Sequence, residues 1–152
     1  MKRGAFDRSY IGHVFPLFST RIEAGKVALF CKALGEVEPI HLNATAAHES
    51  GYRDVLAPLT YPSAIAMERP DPNILNDLLG FELSWMLHAE EEYEYGKPIC
   101  VGDDISTTMR LIDLYEKKQG ALRFAVCELE MRNQFEEVVC TVRRSLVARR
   151  PV

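Results

Sequence analysis

Apolar residues recur at two periods along this chain, helical in the first half and alternating in the second. Ile22, Val27, Leu29, Phe30, Ala33 and Leu34 fall at helical spacing and predict a helix over about 21–34. Thr20, followed three residues later by Glu23, has the form of a capping box at its start, and Gly35 is its stop. Pro39 disfavours the α region at Glu38, so the helix is over by that point. Ahead of it, residues 1–12 read as a polar lead-in and 13–18 as a short first strand. A second helix fits 45–50, introduced by Asn43 and ended by Gly51. Pro58 and Pro62 bracket a turn into a buried helix around 62–69, and a further short helix spans 73–79.

From 83 onwards the pattern changes. Residues 83–95 are aromatic-rich and extended, and Ile105, Thr107, Met109, Leu111, Asp113 and Tyr115 lie on one phase of a long strand. Gln119-Gly120 marks a turn, and Leu122, Phe124 and Val126 open the next strand. Asn133-Gln134 separates that strand from a last one over about 137–148. Consecutive strands with short connections make an antiparallel meander, and the early helices are what the chain has to cover its apolar face. The pattern predicts one α+β domain over 1–152.

Composition narrows the function. The chain has 152 residues, enough to bury a substantial core. A formal net charge of −4 leaves no electrostatic footprint for nucleic acid. Arg143, Arg144, Arg149 and Arg150 form the only basic cluster and read as strand-surface and terminal charges. Cys31, Cys100, Cys127 and Cys140 show no CxxC pairing, so they read as reduced, buried cysteines of a cytoplasmic protein and predict no metal site. No run resembles a signal peptide or is apolar enough to cross a membrane. His48 reads as solvent-facing, His88 as structural, and Asp103-Asp104 as a turn with side-chain-to-backbone bonding. Trp85, Tyr93 and Tyr95 read as core or interface aromatics.

The chemistry concentrates in Gly35-Glu36-Val37-Glu38-Pro39-Ile40-His41. Five helical residues would send Glu36 and His41 to different sides, and Pro39 prevents a continuous helix in any case. The spacing permits a helix end, a tight turn, and an acid and an imidazole converging across it. An imidazole takes a proton near neutral pH, and a carboxylate beside it orients water or serves as partner acid. On spacing alone, such a pair is surface decoration in most proteins.

The stretch from Phe30 through Pro62, with this motif and Gly51-Tyr52-Arg53-Asp54-Val55-Leu56-Ala57-Pro58-Leu59-Thr60, resembles the N-terminal-type MaoC-like dehydratase domain. It is similar to the small dehydratase subunits of mycobacterial mycolic-acid synthesis. Leu87-His88-Ala89-Glu90-Glu91-Glu92-Tyr93-Glu94-Tyr95, Lys97-Pro98 and Val101-Gly102-Asp103 extend the match over nearly the whole chain. The resemblance implies a hot-dog fold, a curled antiparallel sheet wrapped around a central helix, usually dimeric. It implies reversible hydration of enoyl thioesters of coenzyme A or acyl carrier protein to (R)-3-hydroxyacyl thioesters, with no cofactor and no metal.

Carried over to the pattern G-D-x-N-P-x-H, Gly35, Pro39 and His41 match, while Glu36 replaces the aspartate and Glu38 the asparagine. His41 is then the general base, and Glu36 fixes the water and supplies the proton to C2. Glu38, Pro39, Leu56, Leu59, Thr60 and Tyr61 fall in the substrate-binding region, with backbone N–H groups at Leu59, Thr60 and Tyr61 as oxyanion donors. Leu59-Thr60 departs from the His-Gly of active relatives. Phe18, Leu34, Leu56 and Ile65 are candidate acyl-pocket lining. Glutamate adds a methylene, and a misplacement of about an ångström costs on the order of a hundredfold in rate. The resemblance therefore carries two readings. One is a homodimeric hydratase. The other is a non-catalytic acyl-binding or stabilising subunit, heterodimeric with a catalytic MaoC-like partner.

Overall fold

The alternating half of the chain folds into three long antiparallel strands, β3 (Asp104–Lys117), β4 (Leu122–Arg132) and β5 (Val138–Arg149). β1 (Phe18–Arg21) pairs with β3, and β2 (Met86–Tyr95) pairs with β5, giving the order β1-β3-β4-β5-β2. The structure is a computed structural model and describes residues 6–149. Residues 1–5 of the expected lead-in, and Arg150 of the basic cluster, lie outside the described residues. The meander expected from sequence is β3-β4-β5, but β2 does not continue it. It crosses to the far edge and lies against β5.

The expected single phase of β3 breaks. Ile105, Thr107, Met109 and Leu111 are buried, but the register moves from Leu111↔Cys127 to Asp113↔Val126, leaving Ile112 as a bulge. One extra residue flips the later side chains to the other face, so Leu114 is buried where Asp113 and Tyr115 were expected.

Four helices precede or interrupt the sheet: α1 (Ala24–Leu34), α2 (Ala44–Glu49), α3 (Tyr61–Met67) and α4 (Ile74–Leu79). The expected capping box does not form. Thr20 sits in β1 with its hydroxyl buried and unpartnered, while Glu23 is the residue that caps α1, without a side-chain cap bond. The predicted strand over 13–18 is likewise displaced. Its apolar residues include an isolated bridge, Val14↔Arg110, and continuous pairing starts only at Phe18. Asn43 does cap α2, accepting hydrogen bonds from the N–H groups of Thr45 and Ala46 at 2.8 and 3.2 Å.

α1 buries only Val27 and Cys31, whereas α3 buries Tyr61, Pro62, Ile65 and Ala66. α3 is therefore the helix at the centre. Ile65 shares one apolar core with Leu111, Leu129, Val142 and Leu146 from the inner face of the sheet. α3 also lies along β2, because the Tyr95 hydroxyl donates to the Leu59 carbonyl at 3.0 Å and the Ser63 hydroxyl donates to Glu91 at 3.2 Å.

Beneath that helix a charge pair is buried. Arg144 is 8 % exposed, which corrects its expected place on the strand surface. Its inward side chain pairs with Glu91 of the neighbouring strand, and Tyr93 donates to the same carboxylate at 2.6 Å. Burial pushes the Glu91 carboxyl up, but the hydrogen bond from Tyr93 and the charge and hydrogen bond of Arg144 outweigh it and hold the group below its ordinary value. The Tyr93 hydroxyl is pushed up to about 12 by burial and by this bond to Glu91. The four cysteines are buried and free, with burial raising Cys127 to about 12 and Cys140 to about 11.

Gly96, where β2 ends, is required by contact. A Cβ there would stand 2.1 Å from the Val138 carbonyl oxygen, on backbone that cannot swing aside. The Gly96 N–H donates to Val139 at 3.0 Å, so the approach is part of the ladder. Gly96→Ala is expected to lower stability by at least the roughly 3 kcal/mol at the upper end of overpacking costs, read as a fall in denaturant midpoint.

Candidate active site

The acid–histidine segment begins where α1 ends. Gly35 adopts φ +71° and closes the helix in a Schellman pattern, the Glu36 N–H donating to Cys31 at 2.9 Å and the Gly35 N–H to Lys32 at 3.3 Å. The chain then turns on its own acid. Oε1 of Glu36 accepts from the N–H groups of Val37 and Glu38 at 2.8 and 2.9 Å. Those N–H groups, with a smaller contribution from His41, hold the Glu36 carboxyl below its ordinary value. Glu36 is therefore an acceptor at neutral pH, which suits it to orienting a water and not to giving up a proton.

Pro39–His41 form a single 3-10 turn, and the His41 N–H donates to Glu38 at 3.0 Å. Two contacts from elsewhere fix His41. The Cys31 thiol donates to its carbonyl at 3.6 Å, and its ring Nδ1 lies 2.7 Å from the Leu56 carbonyl oxygen. A carbonyl can only accept, so Nδ1 carries the proton and Nε2 of the neutral ring presents its lone pair. Among the described residues no hydrogen bond joins Glu36 to His41.

Leu56 is the link from this ring to a cavity. Its N–H donates to Ile40 at 3.0 Å, and the Ala57 N–H donates to Ile99 at 2.8 Å, pinning the segment between the histidine turn and the loop after β2. A mainly apolar cleft of about 180 Å³ opens there, walled by Leu56, Pro58, Leu59 and Pro62 on one side and Tyr95, Lys97 and Ile99 on the other. The second wall is held by Asp103, fully buried. Its carboxylate accepts from the Cys100 N–H at 2.9 Å, from Arg53 at 2.7 Å and from Gln134 at 3.0 Å.

Of the residues singled out from sequence, Leu56 and Leu59 line the cleft, while Glu36, Glu38, Pro39, His41, Thr60 and Tyr61 do not. Tyr61 is instead a core residue at 3 % exposure, its ring set edge-on to Phe30 at 5.2 Å. Its N–H already donates to Pro58 at 2.8 Å, leaving the N–H groups of Leu59 and Thr60 without a protein acceptor among the described residues. Phe18 and Ile65 belong to the core, and Leu34 is exposed on α1. Tyr95, expected in the core or at an interface, is half-exposed and forms part of the cleft wall. The cleft residues Tyr52, Tyr95, Lys97 and Ile99 were not singled out as binding residues. Tyr52, Tyr95 and Lys97 carry a signal in the sequence only as parts of the family motifs, and Ile99 carries none.

The comparisons follow this geometry. Residues 9–142 match the family of FAS1-like dehydratase domain regions. The chain belongs to that family. A UPF0336 protein of Saccharopolyspora erythraea is 31 % identical over 145 residues, spanning 94 % of this chain and 91 % of that protein. A solved MaoC-like dehydratase superposes with a TM-score of 0.81 at 25 % identity, over 92 % of this chain and 42 % of its own. The (3R)-hydroxyacyl-ACP dehydratase complex HadBC of Mycobacterium tuberculosis gives a TM-score of 0.76 at 18 % identity, covering 91 % and 97 %. At that identity the likeness shows fold alone. The dehydratase-domain family and these neighbours make the fold the hot-dog fold, with α3 as its central helix.

Among the described residues no group of three His, Cys, Asp or Glu is arranged to hold a metal ion, and no helix is long and apolar enough to cross a membrane.

Proposed function

We propose that this dehydratase-family chain hydrates enoyl thioesters of coenzyme A or acyl carrier protein reversibly to (R)-3-hydroxyacyl thioesters in the cytoplasm, with His41 as the base. The hydrogen bond from Nδ1 to the Leu56 carbonyl carries the reading, because it fixes the tautomer in which Nε2 of the neutral ring holds the lone pair and sets the ring beside the cleft wall. Nε2 takes a proton from water as the water oxygen bonds to C3 of the enoyl group. Charge moves to the thioester oxygen, towards the free N–H of Leu59 at the cleft. The imidazolium then returns the proton to C2, which balances the addition. Glu36, ionised and capped on Oε1, keeps Oε2 to orient the water. The acyl chain takes the apolar cleft, and Lys97 at its wall supplies a positive charge to the carrier's phosphates.

A second reading is favoured by one observation. Glu36 serves as a turn cap, and the same fold with a capped acid would suit an acyl-binding subunit supporting a catalytic partner. Offering the purified chain each enantiomer of 3-hydroxybutyryl thioester separates the two readings. The hydratase reading expects the conjugated enoyl product from the (R) form alone. No product from either enantiomer supports the subunit reading.

A further inference from the structure

The segment that carries Leu56 is held by very little ladder. Leu56↔Cys100 is an isolated antiparallel bridge, flanked by bonds from the Val101 N–H to Val55 at 2.9 Å and from the Ala57 N–H to Ile99 at 2.8 Å. Directions alternate along it. Val55 and Ala57 bond towards 99–101, whereas Leu56 turns both its N–H and its carbonyl to the histidine turn, at Ile40 and His41. The imidazole is therefore aimed by a strand one bridge long, and so short a pairing is marginal on its own.

A charge pair closes its end. Continuing the same antiparallel register by three residues sets Arg53 opposite Asp103, and there guanidinium meets carboxylate at 2.7 Å. The Asp103 side chain is fully buried and that of Arg53 half-exposed. The second Asp103 oxygen accepts at 2.9 Å from the N–H of Cys100, the bridge residue itself. Gln134, between β4 and β5, donates to the carboxylate at 3.0 Å, and the Arg53 guanidinium lies over the ring of Phe135 at 5.3 Å. The Asp103 carbonyl accepts from the Ile22 N–H, ahead of α1, at 2.8 Å. Hydrogen bonds to an ionised group are roughly twice as strong as neutral ones, so this knot outweighs the bridge it terminates. Neither Asp103 nor Arg53 lines the cleft or bonds to His41 among the described residues.

We infer that Asp103 and Arg53 are positioning residues for His41: their ion pair locks the bridge, and the bridge aims the Leu56 carbonyl that keeps the ring proton on Nδ1. The inference rests on the hydratase reading for its effect on turnover, but not for its effect on the ring.

In Asp103→Asn one oxygen becomes an NH2 group, which sets a donor against the Cys100 N–H or against Arg53 and Gln134. The bridge is expected to loosen and the imidazole proton to divide between Nδ1 and Nε2. Arg53→Ala removes the other half of the pair from a half-exposed site, and Arg53→Lys, which keeps the charge and a donor, is the rescue. Nitrogen-15 NMR reads which ring nitrogen holds the proton at a pH where the ring is neutral, with the His41 signals identified by their loss in His41→Ala.

Wild type and Arg53→Lys are expected to show Nδ1–H alone, and Asp103→Asn and Arg53→Ala a mixture with Nε2–H. In those two variants kcat/KM for hydration is expected to fall by about ten- to a hundredfold. A purely structural role would lower the denaturant midpoint and leave the tautomer alone. Nδ1–H alone in Asp103→Asn and Arg53→Ala, both shown folded by circular dichroism, therefore overturns the inference. So does a wild-type ring that already carries the mixture. If Asp103→Asn does not fold, the two Arg53 variants decide in the same way. A tautomer that moves in a chain with no hydration activity supports the positioning role and overturns only the hydratase reading.

Discussion

Glu91→Ala is expected to lower the stability of this chain by about 3–5 kcal/mol, because it leaves the Arg144 guanidinium buried without a counter-charge. For a protein of this size that corresponds to a fall in melting temperature of roughly 6–20 °C. The side chains of Arg144 and Glu91 are only 10 % and 18 % exposed, so solvent does little to screen the loss. The control is the double substitution Glu91→Leu with Arg144→Met, which removes both charges and is expected to recover much of the stability. A single substitution costing less than about 1 kcal/mol would mean that the pair behaves as a surface one.

The same pair sets an acid limit. The folded-state pKa of Glu91 lies below its unfolded value, which for glutamate is about 4.3. The folded state therefore binds fewer protons. The contribution is fully present above the unfolded value and is lost as pH falls through the folded one. Denaturant midpoints measured across that acid range are expected to fall more steeply in the wild type than in the double variant.

His41→Ala is expected to lower kcat/KM for hydration by a factor of roughly 10²–10⁴, the usual contribution of a positioned general base. The ring is half-buried, and its Nδ1–H bond to Leu56 stiffens the segment between the turn and the cleft. Some loss of thermal stability should accompany the substitution. The two effects separate by kinetics, since a base removed from the chemical step lowers kcat with KM little changed, whereas a distorted cleft raises KM. Glu36→Gln keeps the side-chain oxygen that caps the turn and removes the charge that orients water. It is expected to cost less than His41→Ala and to leave KM near its wild-type value.

Much of this architecture is legible in the residues. Gly35 and Asn43 announce their helix ends because a positive φ and a side-chain cap are local requirements. The last three strands are legible because their alternation is long, and β2 is legible only as an aromatic-rich, extended stretch. What is not legible depends on pairing between distant segments. Nothing in Thr20 and Glu23 shows that Thr20 is taken by pairing with β3, and the bulge at Ile112 exists only against β4. Arg144 sits among arginines and reads as a surface charge by residue type, although it shares its alternate phase with the buried Val142 and Leu146. The Glu91 that makes its burial tolerable comes from a strand 53 residues away. At the site, the Glu36–His41 segment stands out by its resemblance, but its geometry does not. The carboxylate turns back on its own backbone, and the partner that fixes the imidazole is a main-chain carbonyl fifteen residues on, which no side-chain pattern encodes.

The central claim is that Nε2 of His41 activates water for addition to an enoyl thioester. Hydration of crotonyl thioester by the purified chain, run beside His41→Ala with both proteins shown folded, tests it most directly. The account predicts steady loss of the conjugated double bond with the wild type and a rate lower by at least about a hundredfold with the variant. Equal rates for the two proteins would contradict it.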